Sequence, residues 1–338
     1  MLEEVTLWPK KLKDGLDIAH NFHFKNSAIL PKNFKKIIFV GMGGSGIAGR
    51  VVKTFLDKKS KIPSFVIDSP ELPAFVDTET LAVVVSYSGN TWETVEALDA
   101  LVDKNIPTIA LAHGGKVAEI AESKNLPFIL LPDSKTPRSS LGTVLGIMLG
   151  LFDLMGALEG KKILDIFDKQ LALYLPKFEK DTGYFNDFLD VANDCEVIHV
   201  WGISGDSAAF AYRAQTQFNE NSKIQAVTSY FPELNHNTLV GFSECKKPPM
   251  VIFFGTEFVS TSLCESVDAT CELLREKGVV LYKPPILGDN WEGQLFHIIL
   301  WSDFASYYLG KARGVEIEPV NIVEDLKKRL AKRRGKVK

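Results

Sequence analysis

Leu81-Ala82-Val83-Val84-Val85-Ser86-Tyr87-Ser88-Gly89-Asn90-Thr91 runs from five apolar residues into a hydroxyl-rich turn, after which Val95, Leu98, Leu101 and Val102 recur at helical spacing. The spacing predicts a buried strand, a tight turn and a helix start. Open α/β sheets bind ligands outside the carboxyl ends of their strands, where helix amino termini present unpaired N–H groups and a positive dipole end. Ser86, Ser88 and Thr91 add three hydroxyl donors there, and Gly89 lets the backbone approach closely. With no cation in the turn, the chemistry suits a phosphate monoester better than a nucleotide triphosphate, which needs lysine and magnesium. A helix-capping turn uses the same residue types, so these six residues leave both readings open.

Working outward, the strand Ile37-Ile38-Phe39-Val40 enters Gly41-Met42-Gly43-Gly44-Ser45-Gly46, and Ile47, Ala48, Val51, Val52, Phe55 and Leu56 follow at helical spacing. The glycines satisfy G-x-G-x-x-G, and Asp68 closes the next strand, Phe65-Val66-Ile67, so a dinucleotide site competes with the phosphate reading. The hydroxyl-rich loop at Ser86 is not part of that fingerprint. Further strands at Thr108-Ile109-Ala110-Leu111 and Phe128-Ile129-Leu130-Leu131 flank a helical stretch around Val117. The alternation predicts an α/β fold with a doubly wound parallel sheet. Arg138, in Pro137-Arg138-Ser139-Ser140, precedes an apolar helix over residues 141–158, where the dipole does not favour a cation. It either faces a ligand or marks a solvated helix start.

The strand Val197-Ile198-His199-Val200 then enters Gly202-Ile203-Ser204-Gly205-Asp206-Ser207 and a helix from Ala208 to Gln217, repeating the first strand, glycine loop and helix 161 residues later. Asp206 stands where the first copy has Ser45, and a carboxylate repels phosphate, so the anion site is expected in the first lobe. Glu220 and His236 fall in polar, turn-prone segments, the usual carriers of catalysis, although a lone loop glutamate is more often solvated. The α/β pattern continues through strands at 250–254 and 279–281, a helix at about 260–274 and an apolar helix at about 295–309. The expected organisation is a helical segment at 1–34, a first lobe at 35–158, a charged helical linker at 159–193, a second lobe at 194–320, and a helix with a basic tail at 321–338.

The chain has 338 residues, 46% hydrophobic and 24% charged, with a formal charge of −3. That composition predicts a soluble globular protein of two domains and gives no case for nucleic acid or an anionic membrane. The acidic start, Met1-Leu2-Glu3-Glu4, lacks a signal pattern and no apolar run reaches the roughly 20 residues of a membrane span, so a cytoplasmic location is expected. Cys195, Cys245, Cys264 and Cys271 show no disulfide or zinc spacing and read as packing residues; no metal is expected. His20 and His23 read as surface or interface side chains, and the basic run from Lys327 as a solvated end.

Taken together, Gly41-Met42-Gly43-Gly44-Ser45-Gly46, Ser86-Tyr87-Ser88-Gly89-Asn90-Thr91, Pro137-Arg138, Asn219-Glu220-Asn221 and Pro232-Glu233-Leu234-Asn235-His236-Asn237 resemble, in order, the motifs of the sugar isomerase (SIS) fold family. The resemblance is strongest to the bifunctional phosphoglucose/phosphomannose isomerases. It implies two flavodoxin-like αβα lobes, a sugar phosphate as substrate and no cofactor. By the same resemblance Gly44, Ser45, Ser86, Ser88 and Thr91 hold the phosphate, Arg138 lies beside the reacting carbons, Glu220 is the base, and His236 opens the sugar ring from across a homodimer interface. A C-terminal lysine, Lys311 or alternatively Lys327, assists ring opening. Ser139-Ser140-Leu141-Gly142 departs from the small residues and proline that often follow Pro-Arg in the family. Two rivals stay open: a sugar-phosphate sensor without chemistry, and an SIS isomerase of another sugar phosphate.

Overall fold

The computed structural model describes residues 1–26, 33–180 and 182–334. Two short-looped helices, α1 (Leu2–Thr6) and α2 (Trp8–Asn26), precede a five-stranded sheet built from β1 (Lys36–Val40), β2 (Ser64–Ile67), β3 (Thr80–Ser86), β4 (Thr108–Ala112) and β5 (Phe128–Leu130). Its order is β2-β1-β3-β4-β5 and every pairing is parallel, with Val40 opposite Val84 and Val85 opposite Leu111. The connections are α3 (Gly43–Lys59), α4 (Trp92–Asp103) and α5 (Gly115–Ser123).

Alternation decides the layers. Ile37, Phe39, Leu81, Val83 and Val85 join one hydrophobic cluster, whereas Ile38, Val40, Ala82 and Val84 join another with Ala97, Leu98 and Leu101 of α4 and Val117 and Ala121 of α5. Both faces of β3 are therefore covered, which is why it reads as an unbroken apolar run.

After the first sheet come α6 (Leu141–Leu154), α7 (Gly160–Lys180) and α8 (Asn186–Ala192). The second sheet contains β6 (Val197–Ile203), β7 (Gln225–Phe231), β8 (Met250–Phe253) and β9 (Leu281–Tyr282), in the parallel order β7-β6-β8-β9. It carries α9 (Ala208–Gln217), α10 (Thr261–Glu276) and α11 (Trp291–Ala312), and α12 (Asn321–Arg334) follows. Ile198 and Val200 pack into the same cluster as Ile37 and Phe39 of the first sheet, so the lobes share one core. Trp201 and Ile203 turn the other way, onto Val267, Cys271 and Leu274 of α10. Both lobes are thus doubly wound αβα layers.

Several elements differ from their sequence reading. Strand β7 is not anticipated; it is an edge strand with Val227 to Tyr230 all partly exposed, and Thr228, Ser229 and Tyr230 dilute its apolar pattern. The stretch read as a linker places Ile163, Leu164, Phe167, Leu171 and Phe178 of α7 in the shared core, so it packs as well as connects. Helix α6 ends at Leu154 rather than continuing to 158, and Gly156 follows with φ +69°. Of the cysteines, only Cys271 is fully packed; Cys245 is exposed and Cys195 and Cys264 are half-buried. Among the described residues no helix is long and apolar enough to cross a membrane.

Candidate active site

The two loops foreseen as an anion cradle lie side by side at the carboxyl ends of β1 and β3. Ser45 Oγ, at the start of α3, accepts a hydrogen bond from the Tyr87 backbone N–H at 3.1 Å and ties the first loop to the second. Neither α3 nor α4 has a side-chain cap; the Ser45 and Gly46 N–H groups donate to the Met42 carbonyl at 3.1 and 3.3 Å, which leaves those of Gly43 and Gly44 in α3 and of Glu93 and Thr94 in α4 for a ligand. Ser86 Oγ is buried without a hydrogen-bond partner among the described residues, whereas Ser88 is exposed and Thr91 half-buried at the N-cap of α4. A buried hydroxyl costs about 1–3 kcal/mol when unpaired, so Ser86 favours an incoming acceptor oxygen.

Gly89 has φ +66°, and a Cβ there would meet the Gly114 carbonyl oxygen at 1.6 Å; this turn admits glycine alone. A side chain at Gly44 would come 3.2 Å from Arg138 Cα, so the phosphate loop abuts the arginine directly.

Arg138 sits on a 3-10 turn, Pro137–Ser140, and is 2% exposed, not solvated. Its guanidinium spans the lobes. Nε donates to Asn221 Oδ1 at 2.9 Å, Nη1 to Glu220 Oε2 at 2.9 Å, and Nη2 to the carbonyl oxygens of Ile317 and Glu318 at 2.9 and 3.1 Å. Burial pushes the guanidinium below its ordinary value, and the Glu220 carboxylate pulls it back.

Glu220 is not on a loop. It belongs to a five-residue π-helical turn, Phe218–Ser222, that extends α9, and π turns are enriched at functional sites. Asn221 Nδ2 donates to Ser306 Oγ at 3.0 Å and Ser222 Oγ to the Ser306 carbonyl at 2.7 Å, anchoring the turn on α11. Beneath it Asp303, 2% exposed, accepts from Arg213 at 3.0 Å, Gln217 at 2.8 Å and Trp8 at 3.2 Å; Arg213 also donates to the Arg138 carbonyl at 3.3 Å.

The other sequence candidates stand apart. His236 ends a 3-10 turn, Glu233–His236, after β7; its neighbour Leu234 is buried, but the imidazole is exposed and makes no hydrogen bond to Glu220 or Arg138. Lys311 lies over the Tyr307 ring at 6.0 Å, and Lys327 pairs with Glu324 at 2.7 Å. The lysine that the structure does bring to Glu220 is Lys223, missed by the sequence reading. It has φ +52°, and its Nζ donates to the Glu220 carbonyl and, at 3.2 Å, to that of Ile317. Burial and the nearby Arg138 push its ammonium below the ordinary lysine value. The signal was its position three residues after Glu220, where a side chain can turn back onto the end of a helical turn.

In the second lobe the matching loop is filled from within. Asp206 is 3% exposed and accepts from Thr256 Oγ1 at 2.8 Å and Trp291 Nε1 at 2.7 Å. Asp68, the acid of the dinucleotide reading, pairs with Arg50 at 2.6 Å. No group of three or more His, Cys, Asp or Glu among the described residues is arranged to hold a metal ion.

A glycine-and-hydroxyl cradle on one αβα lobe, beside an arginine that pairs with a glutamate of the other, defines a double sugar-isomerase-domain protein. The SIS domain model matches residues 32–142, and the model of the bacterial phospho-glucose isomerase C-terminal SIS domain matches residues 189–330. A bifunctional phosphoglucose/phosphomannose isomerase from Thermoplasma volcanium is 31% identical over 91% of this chain and 97% of its own length. One from Caldicellulosiruptor bescii is 31% identical over 98% of this chain and 99% of its own. In structure the chain is similar to the C-terminal domain of glucosamine-fructose-6-phosphate aminotransferase from Francisella tularensis, with TM-score 0.67, 18% identity and coverage of 94% of this chain and 97% of that one. The chain belongs to the bifunctional phosphoglucose/phosphomannose isomerase family.

Proposed function

We propose that the protein interconverts glucose 6-phosphate, and mannose 6-phosphate as a second substrate, with fructose 6-phosphate. The observation that carries this reading is the 2.9 Å Arg138–Glu220 pair, which joins the lobes directly beside the Gly44 loop. The α3 and α4 first turns with Ser45, Ser86, Ser88 and Thr91 take the phosphate, leaving the reacting end of the sugar at the arginine. Glu220 removes the C2 proton of the open aldose and returns it to C1, while the hydroxyl proton moves between O2 and O1 through an enediolate. Arg138 holds the carboxylate in place and offers the developing oxyanion its second Nη1 hydrogen, since the other four N–H groups are engaged among the described residues. Glucose and mannose 6-phosphates differ at C2, the carbon that becomes planar in the enediolate, so one base above it serves both.

His236 opens the ring from a second copy of the chain, which fits its exposure and its lack of contact with its own Glu220. The protein then acts as a cytoplasmic homodimer in sugar-phosphate metabolism. Lys311 takes the remaining ring-opening role, with Lys327 as the alternative; alanine at each in turn separates them by which variant loses turnover on closed-ring substrate.

The test is a coupled assay with fructose 6-phosphate that scores glucose and mannose products separately, run on wild type and Glu220→Gln. The wild type is expected to yield both, and the variant to lose about 10²-fold or more in kcat with sugar-phosphate binding retained. Binding without turnover in the wild type would make the protein a sensor, and an unchanged kcat in the variant would remove Glu220 from the chemistry.

A further inference from the structure

The helix α12 carries an apolar stripe that the described residues of its own subunit leave largely uncovered. Ile322, Val323 and Leu326 are 83, 43 and 55% exposed, and Leu330, half-buried, continues the stripe one turn past Leu326. None of the four joins any of the three hydrophobic clusters. On a helical projection Arg329 flanks one side of this stripe and Lys327 the other, and Arg333 continues the stripe's own line past Leu330. A 14-residue helix is marginal alone in water, and the side-chain pairs Glu324–Lys327 and Asp325–Lys328 add only about 0.2–0.5 kcal/mol each. Its stability therefore calls for a surface to pack on.

Charge selects that surface. Residues 321–338 hold eight of the chain's 39 basic residues and only two of its 42 acidic ones, so the segment carries +6 and the 320 residues before it −9. An anionic membrane or nucleic acid that attracted the helix would repel the rest of the molecule, whereas a second copy offers a body of opposite charge. The helix also begins three residues after Glu318, whose carbonyl holds Arg138, so whatever covers α12 borders the active site.

We infer that α12 docks its Ile322–Leu326–Leu330 stripe on the acidic body of a second copy of this chain, reciprocally, and forms part of the homodimer interface. The inference rests on the dimer of the proposed function and adds the surface that makes it.

Analytical ultracentrifugation of the full-length chain tests this, comparing wild type with Ile322→Glu/Leu326→Glu and with Arg329→Glu/Arg333→Glu, none of which alters Lys327. The wild type is expected at about twice its 37.5 kDa chain mass. The apolar-to-acid pair should raise the dimer dissociation constant about 100-fold or more and the charge reversal about tenfold, with circular dichroism unchanged. An unchanged dissociation constant in both variants overturns the docking of α12 while leaving the shared site standing, because the dimer then forms elsewhere. A monomeric wild type overturns both. Sedimentation of the wild type with phosphatidylserine vesicles, lost in the apolar-to-acid variant, assigns the stripe to a membrane and also overturns the inference.

Discussion

The two lobes share one skeleton and use it oppositely. In the first, the loop between β1 and α3 is left open: Ser45 reaches sideways to Tyr87, and two uncapped helix starts face outward. In the second, Asp206 fills the corresponding loop and spends its oxygens on Thr256 and Trp291. The same contrast recurs where the lobes interlock. The end of α9 sends Glu220 to Arg138 just before α6, and the end of α3 sends Lys59 to Glu292 at the start of α11. The cross-lobe pairs correspond with their charges exchanged. The two lobes thus hold equivalent clefts, one open and one braced from within.

Exchanging residues between the lobes should break this comparison most sharply. Ser45→Asp puts the second lobe's carboxylate into the first lobe's cradle. Facing a phosphate dianion, it should raise KM for fructose 6-phosphate about 100-fold or more with little loss of melting temperature, and an unaltered KM would move the phosphate elsewhere. The reverse exchange, Asp206→Ser, should leave KM and kcat near wild type but lower stability by about 2–4 kcal/mol, since Thr256 and Trp291 lose a buried charged acceptor; thermal unfolding reads this. Gain of a second phosphate site in that variant, seen by calorimetry, would show that the brace was the sole obstacle. Smallest is Glu292→Gln. With Lys59 part-exposed, the variant should cost about 1 kcal/mol or less and spare kcat, in contrast to Glu220→Gln.

The sequence made the sheets legible where burial is complete. β1, β3 and β4 are covered on both faces and read as apolar runs, and the glycine loops announced the repeat. β7 escaped because an edge strand tolerates Thr228 and Ser229, which break the pattern. At the site, the hydroxyls and the glutamate were visible as residue types. The π turn under Glu220 was not, because a single i→i+5 turn leaves no periodic trace. Arg138 could be suspected from its unfavourable place before a helix, but its partner Glu220 lies 82 residues on and its carbonyl acceptors about 180, separations at which local pattern carries no information.

Among the described residues every acceptor of the Arg138 guanidinium comes from later in the chain: Glu220, Asn221, Ile317 and Glu318. During synthesis the arginine therefore emerges before any of these acceptors, and the two carbonyl oxygens follow it by about 180 residues. The bridge between the lobes can therefore close only after the second lobe has left the ribosome.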